Sequence, residues 1–299
     1  MKILSFGSMN IDNTYSVDEF VQPGETMTAK NLSKFCGGKG LNQSIALASA
    51  GADVAHFGCV GEDGYILLDM LKSRGVNTDS VIKIDNITSG HAIIQVDSHG
   101  QNSILLYPGA NRRMTPELID RELEKYSCGD WLLIQNETNC LEYIMRAANK
   151  KGMKIAFNPS PMDGTVSTLP LELVDLFLVN EIEGAAVTGK EITEEITEEF
   201  EKLFPNAAVI LTLGKKGSIF KSEKDMLFQP SYCGTVKDTT GAGDTYTGFF
   251  IANYINGVSP QECMRIAAMA STVQISRDGA AIAIPTKQEV LNALKNHRR

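Results

Sequence analysis

The stretch 131–213 reads WLLIQNETNCLEYIMRAANKKGMKIAFNPSPMDGTVSTLPLELVDLFLVNEIEGAAVTGKEITEEITEEFEKLFPNAAVILTL. Short apolar runs recur in it: WLLIQ at 131–135, KIAFN at 154–158, LFLVN at 176–180 and AVILTL at 208–213. Runs this short and this rich in Leu, Ile, Val and Phe suit strands covered on both faces. Helical patterns fill the gaps at 139–151, 181–188 and 193–203. Strand alternating with helix predicts βαβ units, and so an α/β fold of three layers: a mostly parallel sheet with helices on both faces.

Toward the N-terminus, 2–7 reads as a short buried strand ending at a glycine. Residues 24–36 alternate and predict a strand with one polar face, broken by Gly37-Gly38. A small-residue helix follows at 41–50, closed by Gly51, then a strand at 53–60 and a helix at 65–72. The β-rich runs 90–96 and 103–107 flank a His-Gly-Gln-Asn turn and predict a hairpin. These N-terminal β stretches fall outside the βα rhythm and suggest a small lid at the sheet edge. Toward the C-terminus, 217–221 and 226–230 read as a second β patch, and 242–256, 260–276 and 286–297 as helices. The acidic run 191–201 is read as the solvated face of a helix.

Composition narrows the class. The chain has 299 residues, 43% of them hydrophobic and 21% charged, which is globular and excludes a disordered chain. A net charge of -8 argues against a nucleic-acid binder. Six cysteines form no C-x-x-C pair and four histidines form no cluster, so neither a disulfide framework nor a structural zinc is expected. The apolar start is too short for a signal segment and no run of 18 apolar residues occurs, so a cytoplasmic protein without membrane contact is expected.

Among the motifs, KDTTGAGDTYTGFF at 237–250 sets Gly241, Ala242 and Gly243 before Asp244 and an apolar helix. Small residues at a helix start let backbone N–H groups approach an anion. A carboxylate there would repel a bound phosphate, yet it suits phosphoryl transfer, where it takes the proton of an attacking hydroxyl. A first-turn aspartate is also a plain helix cap. At 36–43, CGGKGLNQ supplies a tight turn through Gly37, Gly38 and Gly40, with Lys39 and Asn42 suited to sugar hydroxyls. It is not a Walker A loop, and the nearest match to that pattern, GAAVTGKE at 184–191, is rejected because it ends in Glu instead of Ser or Thr and follows a helix instead of a strand. In GSMNID at 7–12, Asn10 and Asp12 share a face of extended chain at a strand's carboxyl end. In VNEIE at 179–183, Asn180 and Glu183 share a helix face and suit a hydrated Mg²⁺ with its nucleotide, or equally a helix cap.

These segments, in this order, resemble the ribokinase (PfkB-type carbohydrate kinase) family, most closely its ribokinase branch. The likeness runs from Gly7 to Pro285 and is most specific at GGKGLNQ (37–43) and DTTGAGDTYTG (238–248), with NPSP, NEIE, TLGKKG and SRDGA in support. The resemblance implies one kinase domain over 1–299, with a β-lid at about 13–36 and 88–108 that covers the sugar and forms a homodimer contact. It implies an ATP-dependent transfer of the γ-phosphoryl group to a primary hydroxyl, with O5 of D-ribose first and another pentose or ketose, deoxyribose or a nucleoside as alternatives. It assigns the sugar to Asn10, Asp12, Gly38, Lys39, Asn42 and Glu137, the base to Asp244, and the anion hole to Gly241, Ala242 and Gly243. It assigns ATP to Asn180, Thr212, Leu213, Gly214, Lys215, Lys216, Gly217 and Gly243, and Mg²⁺, through water, to Glu183. Potassium falls on Asp238, Thr240, Gln274, Arg277 and Gly279, partly through backbone oxygens.

The chain departs from the pattern at three places. Ala283 stands where ribokinases often have Ser, which takes one oxygen from the K⁺ set; Ala268 stands where Asn or His lies beside adenine; and Phe249 is bulky where the pattern has a small residue. Two other classes compete. A sensor that binds without catalysis is opposed by the intact Asp244, and a dinucleotide oxidoreductase by the lack of G-x-G-x-x-G after the first strand.

Overall fold

A computed structural model describes residues 1–297. From the N-terminus, β1 (Ile3–Phe6) leads through three residues into β2 (Asn10–Ser16), followed by β3 (Asn31–Gly37) and α1 (Lys39–Ala50). Next come β4 (Val54–Phe57), β5 (Cys59–Val60), α2 (Tyr65–Ser73), β6 (Ile82–Lys83), β7 (Gly90–Val96) and β8 (Asn102–Tyr107). The βα series is α3 (Pro116–Leu123), β9 (Trp131–Gln135), α4 (Leu141–Lys150), β10 (Lys154–Asn158), β11 (Leu176–Asn180), α5 (Glu181–Thr188), α6 (Thr193–Leu203) and β12 (Ala208–Thr212). The chain closes with β13 (Gly217–Lys221), β14 (Met226–Pro230), α7 (Ala242–Tyr254), α8 (Pro260–Gln274) and α9 (Lys287–His297).

The main sheet has eight strands in the order β14-β13-β12-β11-β10-β9-β1-β4, parallel except at β13 and β14. Alternate residues of each central strand feed opposite cores, as the period of two requires. Leu133, Ala156, Leu176, Leu178 and Ile210 face α1, α7 and α8. Leu132, Ile134, Ile155, Phe157, Phe177, Val179 and Leu211 face α3, α4 and α6. Each fully buried Phe or Leu contributes roughly 1.5–3 kcal/mol by leaving water. A second sheet of four strands, β3-β2-β7-β8, stands apart from the first.

Several boundaries differ from the sequence reading. Only Asn31–Gly37 of the expected strand 24–36 is paired, because the partner strand β2 ends at Ser16 and the chain turns between Gln22 and Glu25. The expected strand 53–60 is two strands in different sheets, parted at Gly58. Residues 217–221 and 226–230 are not a separate patch but the antiparallel edge of the main sheet. Residues 10–12, read as chain beyond a strand end, open β2 of the second sheet, and α3 is an additional helix.

α7 runs between α1 and α8, and its approach to α1 is set by Gly248. A Cβ there would lie 2.4 Å from Ala46 Cβ and 2.7 Å from the Leu47 backbone nitrogen. On the sheet side of α1, Ser44 Oγ lies 2.8 Å from Nδ1 of the fully buried His56. Burial pushes His56 down to about 4, partly offset by the Gly7 backbone. The folded chain therefore holds the imidazole neutral, whereas the unfolded chain protonates it near pH 6.5. Stability from this group is complete above pH 6.5 and is lost as pH falls from there toward 4. Between pH 7 and pH 5 the loss is about 2 kcal/mol. Asp12 and Glu137, whose carboxyls are raised, act in the opposite sense. The effect is isolated by comparing urea midpoints of wild type and His56→Gln at both pH values. The variant is expected to lose less stability on acidification, and equal losses would count against the account.

Candidate active site

The carboxyl ends of the central strands carry a row of polar residues. Gln135 and Asn158 are in register at the ends of β9 and β10, and Asn180 and Thr212 at the ends of β11 and β12. Ligands of parallel α/β sheets collect at this edge. Above the row lies a cleft of about 230 Å³ lined by Lys39, Asn158, Asn180, Glu183, Thr212 and the turn Gly241–Asp244.

Asp244 is the third residue of α7 and is buried. Its Oδ2 accepts from Asn42 Nδ2 at 3.0 Å and its Oδ1 from Gln43 Nε2 at 2.9 Å. The amides continue as a relay. Gln135 Nε2 donates to Gln43 Oε1 at 2.7 Å, Gln43 Nε2 also donates to Asn158 Oδ1 at 3.0 Å, and Asn158 Nδ2 reaches Glu183 Oε2 at 3.5 Å. The carboxylate is thus fixed by two amides, with no ion pair to its own atoms among the described residues. Before it, Gly241 takes a left-handed conformation (φ 77°) and Ala242 N–H donates to Thr239 O at 3.2 Å. The N–H groups of Gly241, Gly243 and Asp244 have no protein partner among the described residues. They are the free donors of a helix N-terminus, where an anion is favoured.

Lys39 is the cation of this cleft. Burial would strip its charge, but Asp244, Glu137 and Glu183 around it outweigh burial and hold its pKa above the usual lysine range. Its backbone N–H donates to Glu137 Oε2 at 2.9 Å, and Ser8 Oγ donates to the same oxygen. Burial pushes the Glu137 carboxyl up. Beside it, on β2, Asn10 Oδ1 accepts from Asn111 Nδ2 at 2.8 Å. Asp12 lies over Gly37, where any Cβ would come within 2.1 Å of its Oδ2. Burial first, and the Glu137 charge second, push Asp12 up to about 6.

On the other side, Asn180 and Glu183 form a capping box. Asn180 Oδ1 accepts from Glu183 N at 2.8 Å, and Asn180 N donates to Glu183 Oε2 at 3.0 Å. The cap and the cleft-lining role coexist, since both side chains also border the cavity.

Residues 1–287 match the profile of the pfkB family carbohydrate kinases. The chain belongs to that family. It is 33% identical over 298 residues to a ribokinase of Haemophilus influenzae, covering 97% of both chains. A ribokinase structure from Thermotoga maritima superposes with a TM-score of 0.88 at 32% identity, over 98% of this chain and 99% of that one. An Arabidopsis thaliana ribokinase complexed with ribose and ATP superposes with a TM-score of 0.85 at 29% identity, over 98% of both chains.

Within this carbohydrate kinase, the residues anticipated for sugar and base converge. Asn10, Asp12, Gly38, Lys39, Glu137, Asn42 and Asp244 form one continuous set. The nucleotide set is divided. Asn180, Thr212 and Gly243 line the cleft, whereas Leu213 is buried in the core and Gly214–Lys216 form a short turn beyond β12. Of the departures, Phe249 and Ala268 are buried core residues. Gln43, Gln135, Asn158, Asn111 and Ser8 are partners that sequence reasoning left unassigned. Gln43 and Asn158 stand inside motifs already singled out, while no pattern marks Asn111 or Gln135.

The residues anticipated for K⁺ are also gathered, around the turn that precedes α7. Asp238 Oδ1 accepts from Thr240 N at 2.8 Å and its Oδ2 from Gly279 N at 2.9 Å. Gln274, expected to contribute its backbone carbonyl, also directs its side-chain Nε2 at the carbonyls of Thr240 and Gly279.

Proposed function

We propose that the chain is an ATP-dependent ribose kinase that phosphorylates O5, with Asp244 as the general base. The observation that carries this reading is the placement of a buried carboxylate, held by two amides, directly beneath the free N–H groups of the α7 N-terminus. Ribose lies between β2 and α1. Asp12 and Asn10 take its secondary hydroxyls, and Glu137 and Asn42 orient the ring. The O5 proton passes to an Asp244 oxygen as O5 attacks the γ-phosphorus of ATP, the bond from that phosphorus to the β,γ-bridging oxygen breaks, and ADP leaves with the bonding pair. Lys39 and the N–H groups of Gly241 and Gly243 stabilise charge on the transferring phosphoryl group. Glu183, with a carboxylate on the cleft and few protein donors, suits a hydrated Mg²⁺ held through water. That ion neutralises phosphate charge when bound. No step is assigned to K⁺, since the Asp238 carboxylate and the Thr240 and Gly279 carbonyls already accept from other groups.

The second sheet acts as a lid that excludes competing water. It exposes Leu32, Ile104, Leu105, Leu106 and Tyr107, and a second copy of the chain covers this apolar surface in a cytoplasmic homodimer. Mass by light scattering tests the dimer.

Acceptor identity is tested by ADP release against ribose, deoxyribose, other pentoses, ketoses and nucleosides. Ribose is expected to give the highest kcat/KM, and a nucleoside preference would overturn the assignment. Asp12 adds a pH signature. Below about pH 6 it takes a proton and loses an acceptor lone pair, so KM for ribose should rise on acidification while KM for ATP holds. Asp12→Asn should raise KM for ribose by roughly 10- to 100-fold at pH 7.5, the worth of a charged hydrogen bond, and should remove the acid rise. An unchanged pH profile in the variant would place the titration elsewhere.

A further inference from the structure

We infer that the side-chain amide of Gln274 pins the turn before α7 in place of a monovalent cation, so that this kinase works without K⁺. The inference rests on the proposed role of residues 241–243 as the phosphoryl-binding turn. Gln274 ends α8 and is fully buried. Its Nε2 donates to Thr240 O at 2.5 Å and to Gly279 O at 3.4 Å. Those carbonyls belong to two segments, the turn that runs into α7 and the loop that follows α8. The Asp238 carboxylate joins the same two segments through their N–H groups. Amide and carboxylate together close a bracket around the turn.

A cation at this place needs carbonyl lone pairs turned toward it. Here those lone pairs face amide hydrogens, and a cation brought beside the same hydrogens is repelled. The reverse orientation of the amide would set its oxygen against two carbonyl oxygens, so the donor end is the one that fits. The cost is visible, because Gln274 Oε1 is buried without a partner. The rest of the loop follows the same logic. Ala283 has no side-chain oxygen, and its carbonyl accepts from Arg277 at 3.5 Å. The carbonyls of Ala281, Ile282 and Ile284 accept from Arg74. Of the oxygens around the turn, the carbonyls of Thr240, Gly279 and Ala283 thus already face side-chain donors. Gln274 is a positioning residue, since it touches the turn and not the substrate.

The test measures initial rates and thermal midpoints for wild type and Gln274→Ala in KCl, against tetramethylammonium chloride at equal ionic strength. Wild type should give the same kcat and the same midpoint in both salts. Gln274→Ala should lose at least about tenfold in kcat, as preorganised donors act on the transition state, with KM for ATP and ribose held within a few-fold. K⁺, and not tetramethylammonium, should restore part of the rate and raise the midpoint of the variant, since the two carbonyls are then free. A wild type whose rate or midpoint climbs with K⁺ overturns the inference, even if the variant does not fold. A variant that keeps wild-type kcat, or loses it regardless of K⁺, overturns it as well. Failure of the phosphoryl-turn assignment reads differently: ATP would turn over normally after changes at Asp244.

Discussion

Asp244→Asn should reduce kcat by about 10²- to 10⁴-fold while KM for ATP and ribose stays within a few-fold. The substitution removes the proton acceptor and leaves the α7 N-terminus untouched. A carboxylate facing two amide donors is replaced by an amide, so one of the two bonds would place donor against donor. The site accommodates this. Asn42 Oδ1 is buried without a partner, and a flip of the Asn42 amide presents it to the new NH₂ group. Gln43 has no such freedom, because its Oε1 already accepts from Gln135. The variant should therefore keep the Gln43 bond, exchange the Asn42 bond, and melt within a few degrees of wild type. Steady-state kinetics with a melting curve checks both statements. A variant retaining wild-type kcat would remove Asp244 from the reaction. A variant that loses kcat only together with its fold would leave the catalytic role unsupported.

Gly248→Val should destabilise the protein by about 3 kcal/mol or more, an overpacking cost at the upper end of its usual range. The nearest atoms to a new Cβ are Ala46 Cβ and the Leu47 and Ala46 backbone, none of which can rotate away. α7 and α1 must separate, and the melting temperature should fall on the order of 10 °C. The same displacement acts on chemistry. Asn42 and Gln43 sit one turn before Ala46 and Leu47 on α1, and Asp244 one turn before Gly248 on α7. Moving the helices apart lengthens both bonds to the base. The folded fraction should show a kcat loss beyond that explained by stability, which activity below the transition temperature measures. An unchanged kcat in fully folded protein would show that helix spacing does not set the base.

Much of this architecture is legible in the sequence. The runs at 131–135, 154–158 and 176–180 became strands with unchanged boundaries, and 181–188 and 193–203 became helices likewise, because period and burial agree there. The edge strands 217–221 and 226–230 were found but misplaced, since a short apolar run does not reveal which sheet it joins. Residues 24–30 alternate without pairing, so the pattern alone overstated the strand. At the site, local motifs exposed Asp244, Asn42 and Lys39. Gln135 and Asn111 remained hidden because they meet their partners across about a hundred residues of chain. Gln274 is legible as a member of the loop through its backbone carbonyl, whereas the inward turn of its side-chain amide depends on packing that no local pattern encodes.

The short passage Gly7–Met9 between β1 and β2 carries the chain from one sheet to the other. The hydroxyl recognition proposed for Asn10 and Asp12 therefore stands on a different piece of scaffold from the proposed base and phosphoryl turn on α7. Heritable change can act on the two separately. Replacements along β2 and β7 can retune which alcohol is accepted while the transfer machinery drifts little, and a duplicated copy of such a gene begins its divergence already competent for chemistry. The path to a new acceptor then runs through a handful of site-facing positions on the smaller sheet.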